Sequence, residues 1–409
     1  MPDLRVLFSV SSWPTHYAAM VPLGWALQAC GHEVRVLCTP SQVGPLTRVG
    51  LIPVPVLDGM PDVVRLRLQY HAEAVSGVWP NPWLPPHPVD GVPLRKLGDF
   101  DRERYEREQA PEYARRAERS FDAAVAFARR WRPHLVLHDP ASLEGLLAAR
   151  VQDVPAALCL WGPVGTHERE HMRIVPTDHS GAFARYGLGD FTLEMIDTVI
   201  DPCPAGLSPP TTARRLPVRY VPYNGCGPLP PWLTRPPNRP RLCVTWSTAL
   251  STMSGPRANA LPELVRALDG LGHQVVVTAT RQDAAALRGI PPTVRVLEQV
   301  PLRLLLPGCA AVAHHGGSGS TMTSVWAGTP QLALTFASEQ AVAGERVAGT
   351  GAGVHIPGGY ADPDALRAAM RRLTEEASFV QAAAALRADL LDRPSPARLV
   401  MTLEELAAA

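Results

Sequence analysis

Ala310-Ala311-Val312-Ala313-His314-His315-Gly316-Gly317-Ser318-Gly319-Ser320-Thr321 reads as a buried strand entering a glycine-rich turn. The turn feeds a helix that continues through Val325-Trp326-Ala327. Small residues let a backbone approach a ligand closely. Free N–H groups and the positive end of a helix suit an anion such as a diphosphate. His315 adds a donor, and Ser320 and Thr321 add hydroxyls. The stretch is not a Walker-type loop, because no lysine follows the glycines. Nor is it a dinucleotide fingerprint, since Met322 stands where a third glycine or alanine is needed. The bland alternative is a tight strand–helix turn with no ligand. Two histidines, three glycines and three hydroxyl residues within positions 314–321 argue against it.

The strand–turn–helix pattern recurs. Leu4–Val10 is apolar and β-prone, Met20–Ala29 has helical apolar spacing, Gly31 suits its C-terminal cap, and Val34–Cys38 reads as the next strand. Residues 26–36 of this βαβ unit lie on residues 267–277, sharing Ala-Leu, Gly-His and two valines. Prolines crowd from Pro209-Pro210 to Pro240 and mark a boundary, after which Arg241–Trp246 is again strand-like. Alternating strands and helices predict α/β domains with parallel sheets. The expected division is an N-terminal domain over 1–228, a linker over 229–240, a C-terminal domain over 241–390 and a terminal helix over 391–409. Residues 66–98 read as irregular and aromatic, and 101–130 as a charge-rich helix with a solvated face or a docking surface.

The 409 residues leave room for two such domains, and 46% hydrophobic against 19% charged residues supports real cores. Net charge is +1, so no long-range field gathers nucleic acid or anionic lipid. Lys96 is the single lysine among 39 basic residues, so a phosphate site cannot lean on lysine. The arginine, alanine, proline and glycine bias suggests a GC-rich source. No secretory signal, membrane span or Cys-x-x-Cys pair is read, so the seven cysteines are expected as free, buried thiols in a cytoplasmic protein.

His16 follows the first strand, at the carboxyl edge where open α/β sheets bind ligands. A histidine there suits a general base. Its bland reading is an ordinary loop histidine. Asp139 ends the strand-like run Leu135–His138, at the same predicted edge, where a carboxylate would fix the imidazole tautomer. His138 is a rival for either role. His167-Glu168-Arg169-Glu170-His171 fits a zinc-peptidase pattern, but glycines and a proline precede it and no apolar helix surrounds it. A polar loop is expected there, with no metal bound.

These residues carry a resemblance. Thr15-His16-Tyr17, Val21–Leu27, Gly31–Val34, Arg132-Pro133, Leu160–Pro163, Arg219–Gly225, the 314–321 loop, Gly328–Gln331 and Gly351–Gly353 appear in family order over nearly the whole chain. The chain resembles the family 1 inverting, nucleotide-sugar-dependent glycosyltransferases of GT-B fold. The resemblance is closest to actinobacterial enzymes that place deoxysugars on polyketides and related antibiotics. It implies two Rossmann-like domains facing across a cleft, with the last helix returning to the first domain.

The resemblance also implies roles. His16 is the catalytic base and Asp139 its acid partner. Thr248, His315, Gly317, Gly319 and Ser320 bind the donor diphosphate. Gln299 and Val300 meet the nucleotide base, and Glu339 and Gln340 hold the sugar. Gln299 stands where an aromatic is usual, and Glu339 is one methylene longer than the usual aspartate. Tyr70, Trp79, Trp83 and Trp161 are the expected acceptor wall. The implied partners are a nucleoside-diphosphate sugar, expected to be dTDP-linked, and a hydrophobic small-molecule acceptor, with an auxiliary protein or a second copy also open. No cofactor and no metal are implied. The competing readings are a non-catalytic sugar-nucleotide-binding or helper protein, a nucleotide-sugar epimerase and a zinc metallopeptidase. The sugar, the acceptor and the kind of glycosidic bond are not legible.

Overall fold

The computed structural model describes residues 3–408 apart from 170–171, 236–237, 247, 288 and 299, with Thr248 described by its backbone alone. Short runs of Val, Leu, Ile and Ala, buried on both faces in the central strands, build two all-parallel sheets. The first contains β1 (Arg5–Ser9), β2 (Glu33–Leu37), β3 (Ile52–Val54), β4 (Leu135–His138), β5 (Ala156–Cys159), β6 (Thr198–Asp201) and β7 (Arg214–Pro217), in the order β3-β2-β1-β4-β5-β6-β7. The second contains β8 (Arg241–Thr245), β9 (Gln274–Ala279), β10 (Val294–Glu298), β11 (Cys309–His314), β12 (Gln331–Thr335) and β13 (Gly353–Pro357), in the order β10-β9-β8-β11-β12-β13.

Both orders reverse direction once, at β1/β4 in the first sheet and at β8/β11 in the second. Crossovers leave these strand pairs toward opposite sides, so a crevice opens at their carboxyl ends. The loops after β1, β4, β8 and β11 carry His16, Asp139, Thr248 and His315 respectively. The topology therefore puts the expected base, its acid partner and the expected diphosphate residues at the two switch points.

The last helix, Pro396–Ala408, lays Leu399, Val400 and Leu403 against Val6, Phe8 and Leu27 of the N-terminal domain. Glu404 Oε1 meets His32 Nε2 at 3.0 Å. The chain so returns to where it started. The helix Ala377–Asp392 packs Leu386 and Leu390 with Cys203, Leu207 and Tyr220, joining the two halves. Further clasps are Asn81 Nδ2 donating to the Phe336 carbonyl at 2.9 Å and Asn224 Nδ2 donating to Thr323 Oγ1 at 3.0 Å.

Three expectations need revision. Residues 66–98 are not wholly irregular, because the helix Asp62–Val75 runs through their start. Its periodicity is disguised, since Asp62, Arg67, His71 and Glu73 are buried. The charged stretch is two helices, Arg102–Glu108 and Ala110–Trp131. Pairs such as Arg102–Glu106 and Arg104–Glu108 are exposed, as on a solvated face. All seven cysteines are free, but Cys30 and Cys226 are exposed and Cys309 is partly so. No described helix is long and apolar enough to cross a membrane.

Candidate active site

A cavity of about 440 Å³ lies between the two domains. Its wall includes His16, Arg65, Trp161, the turn from His315 to Ser320, Glu339 and Gln340. A second cavity of about 720 Å³ lies in the N-terminal domain, and Arg65, Gln69 and Arg173 line both.

His16 opens a 3-10 turn, His16–Ala19, after β1. Its ring stacks on Trp161 with centroids 3.6 Å apart. Burial, aided by the Arg65 guanidinium, holds its pKa well below the usual 6.5, so the imidazole is neutral at neutral pH. Nδ1 lies 2.8 Å from Ser11 Oγ. Asp139 is fully buried and shares this neighbourhood, as expected, but the contact differs from the expected direct pair. Its Oδ2 accepts the Ser11 N–H at 2.8 Å and its Oδ1 accepts the Ala141 N–H at 2.8 Å. Ser11 stands between carboxylate and imidazole. Burial, with Asp62 adding to it, raises Asp139 to about 7. His138 lines neither cavity; burial lowers it to about 4, and its Nδ1 contacts the Asp139 carbonyl at 3.1 Å.

The glycine turn meets the cavity as its sequence suggests. The helix Ser318–Ala327 starts at Gly317, and among the described residues no side chain caps it. The first helical N–H groups therefore have no intrahelical acceptor. Gly316 has φ +83, and a β-carbon there would lie 2.8 Å from Thr335 Cγ2, so only glycine fits. Beside Gly317, a β-carbon would come within 2.6 Å of His315 Nε2, so that glycine makes room for the imidazole. Gly319 has nothing within 4 Å in the same direction, which leaves open space at the helix start.

His314 is spent on structure. It accepts the Gly316 N–H at Nδ1 (3.0 Å), so its Nε2–H donates to Gln331 Oε1 at 2.8 Å. His315 Nδ1 is buried with no hydrogen-bond partner among the described residues. Burial, aided by His314, lowers His315 to about 3, which makes it a neutral donor and not a cation. Ser320 lines the cavity, whereas Thr321 is buried beneath it.

Glu339 Oε1 accepts the Tyr70 hydroxyl at 2.9 Å, while Oε2 is buried without a partner among the described residues. Gln340 Oε1 accepts the Phe336 N–H at 3.1 Å, so its carbonyl is already engaged. Val300 lies outside the cavity wall, and its near neighbour Leu302 is part of it. Gln299 and the Thr248 side chain lie outside the described residues.

The acceptor wall is the main revision. Tyr70, Trp79 and Trp83 line neither cavity. Tyr70 is fully buried against Glu339 and Trp79, and Trp79 Nε1 donates to the Trp83 carbonyl at 2.7 Å. Trp83 packs on Phe336 across the domain junction. These aromatics fasten the 62–83 segment to the C-terminal domain. Of the four, only Trp161 lines either of these two cavities.

Sequence reading missed Ser11, Arg65 and Glu73. Glu73 is buried, accepts from Ser338 Oγ at 2.9 Å and Gln69 Nε2 at 3.0 Å, and is raised by burial to about 7. The zinc-peptidase pattern is broken up: Glu168 pairs with Arg346 at 2.6 and 2.9 Å, and Glu170 and His171 lie outside the described residues. Among the described residues no cluster of three His, Cys, Asp or Glu is set to hold a metal ion.

Comparison with known proteins adds the following. The family model for the N-terminal domain of erythromycin biosynthesis protein CIII-like proteins matches residues 105–247, and that for the C-terminal domain matches 262–406. Aklavinone 7-beta-L-rhodosaminyltransferase of Streptomyces galilaeus is 33% identical over 99% of this chain and 96% of its own. The 10-deoxymethynolide desosaminyltransferase of Streptomyces venezuelae is 34% identical over 99% of this chain and 97% of its own. The solved structure of spinosyn rhamnosyltransferase SpnG with thymidine diphosphate superposes with a TM-score of 0.76. It is 27% identical over 98% of this chain and all of the other. The same enzyme has been solved with the spinosyn aglycone.

Proposed function

Because the chain belongs to the erythromycin biosynthesis protein CIII-like family of glycosyltransferases, we propose that it moves a deoxysugar from thymidine diphosphate to a polyketide-type aglycone, inverting the anomeric carbon. The observation that carries this is one cavity bounded by a neutral histidine on one side and an uncapped helix start on the other.

The donor diphosphate sits on the turn from His315 to Ser320. Its charge meets the free N–H groups of the helix Ser318–Ala327 and the His315 N–H, with no metal ion or cofactor required. The nucleotide lies toward Leu302 and Val300. The sugar lies beside Glu339, whose free Oε2 accepts a hydrogen bond from it. The acceptor body occupies the larger cavity and brings its hydroxyl past Arg65 toward His16.

Chemistry then needs one concerted exchange. His16 takes the acceptor proton as the hydroxyl oxygen forms its bond to the anomeric carbon. The bond from that carbon to the diphosphate oxygen breaks on the opposite face, and its electron pair leaves with the diphosphate. Trp161 keeps water off one face of the imidazole, and burial, aided by Arg65, keeps the free base unprotonated before the acceptor arrives.

Thermal unfolding with nucleoside diphosphates tests the donor half. Thymidine diphosphate at a hundredfold excess over its Kd is expected to add about 2.7 kcal/mol, raising Tm by several degrees. Uridine diphosphate at equal concentration is expected to raise it less. No shift with either nucleotide would contradict the donor site.

A further inference from the structure

Asp139 does not bond His16 directly, and this changes how the base is held. We propose that Ser11 is a positioning residue for the base: its hydroxyl links the Asp139 carboxylate to the His16 imidazole, so that the neutral ring carries its proton on Nδ1 and takes the acceptor proton on Nε2. This inference rests on His16 being the base.

The hydrogen inventory supports that polarity. Ser11 Oγ is 2.8 Å from His16 Nδ1, the Ser11 N–H donates to Asp139 Oδ2 at 2.8 Å, and the Ser11 side chain as well as its backbone acts on the Asp139 carboxyl group to hold its pKa down against burial. Two backbone N–H groups already donate to that carboxylate, from Ser11 and Ala141. An ionised carboxylate only accepts. The single serine proton therefore goes to Asp139, and Nδ1–H must donate to Oγ. The lone pair is left on Nε2. Chain order also fits, because β1 and β4 are hydrogen-bonded neighbours and Ser11 and Asp139 follow their last residues.

Protonating Asp139 reverses the relay. A carboxylic acid donates to Oγ, the serine proton turns to Nδ1, and the imidazole proton moves to Nε2, where it blocks the base. Asp139 titrates near 7, while His16 titrates well below the ordinary histidine value. The charged and titratable groups facing this relay are Arg65 toward His16, Asp62 paired with Arg65 and felt by Asp139, and the Cys159 thiol, which feels Asp139. Transfer should therefore lose rate as pH falls through about 7, on account of the carboxyl group and not of the imidazole.

Ser11→Thr and Ser11→Val test this, since they differ in the hydroxyl and little in shape. Thymidine diphosphate stabilisation checks that both are folded. The wild type and Ser11→Thr are expected to show an acid limb in kcat/KM near pH 7. Ser11→Val is expected to lose roughly tenfold to a hundredfold at pH 8, less than loss of the base itself. Its limb should move down to the intrinsic titration of His16. A Ser11→Val enzyme within twofold of wild type overturns the inference. So does one that is slower with its acid limb unmoved, because that is a structural role. If instead His16→Ala keeps full activity, it is the base assignment that fails.

Discussion

Replacing His16 with alanine is expected to lower kcat/KM for sugar transfer by roughly 10²- to 10⁴-fold. The loss should fall on the chemical step. His16 lies on the N-terminal side of the cavity, away from the turn that receives the diphosphate, so stabilisation by thymidine diphosphate should be unchanged. The same variant should lose the acid limb of the pH profile, since no imidazole remains to be switched by Asp139. His138 does not rescue it, being fully buried at the end of β4 and lining neither cavity. Steady-state kinetics and nucleotide thermal shifts on one preparation separate these effects. Full transfer without His16 would remove it from the mechanism.

The second large effect is expected at the donor turn. His315→Ala should cost roughly 10²- to 10³-fold in kcat, the usual worth of one preorganised donor to a developing anion. Gly317→Ala should cost about as much, for a steric reason. The added methyl group would sit 2.6 Å from His315 Nε2, so the imidazole must swing away. If both act through the same ring, the double variant should be little worse than either single one. Additive losses, measured as kcat in a double-mutant cycle, would mean that Gly317 serves the diphosphate through its own backbone instead. Because burial keeps His315 neutral, its contribution should not change between pH 6 and 8.

Local pattern carried the parts of this site that lie within one strand and its following turn. The 314–321 turn and His16 could be read because each sits a few residues past a strand end, and parallel sheets place such loops together. The relay could not. Ser11 and Asp139 are 128 apart in sequence and meet because β1 pairs with β4 in one register. Nothing local marks Ser11 as different from Ser12, whose hydroxyl instead donates to Asp62 Oδ2 at 2.6 Å. Arg65 and Glu73 were hidden for a related reason. They belong to a helix clasped between two domains, where polar residues are buried and the apolar stripe that reveals a helix is broken.

The aromatic residues show the opposite error. Tyr70, Trp79 and Trp83 have the composition of a ligand wall, but they spend their apolar area on the domain junction. Composition reports how much apolar surface is present and not which neighbour covers it. The cavity that does have room for an acceptor is walled by Leu68, Tyr105, Tyr113 and Phe121, among others. These come from the helix Asp62–Val75 and from the inner faces of the charged helices Arg102–Glu108 and Ala110–Trp131. A charge-rich outer face concealed an inner face available to ligand.

The anomeric configuration of the product tests the direct displacement. A thymidine diphosphate deoxysugar of known configuration would be incubated with a polyketide aglycone and a chelator, and the anomeric proton coupling of the glycoside read by NMR. A glycoside of inverted configuration, formed only when acceptor is present, is the expected result. Retention of configuration would contradict it, because a single attack assisted by His16 from the face opposite the diphosphate cannot retain.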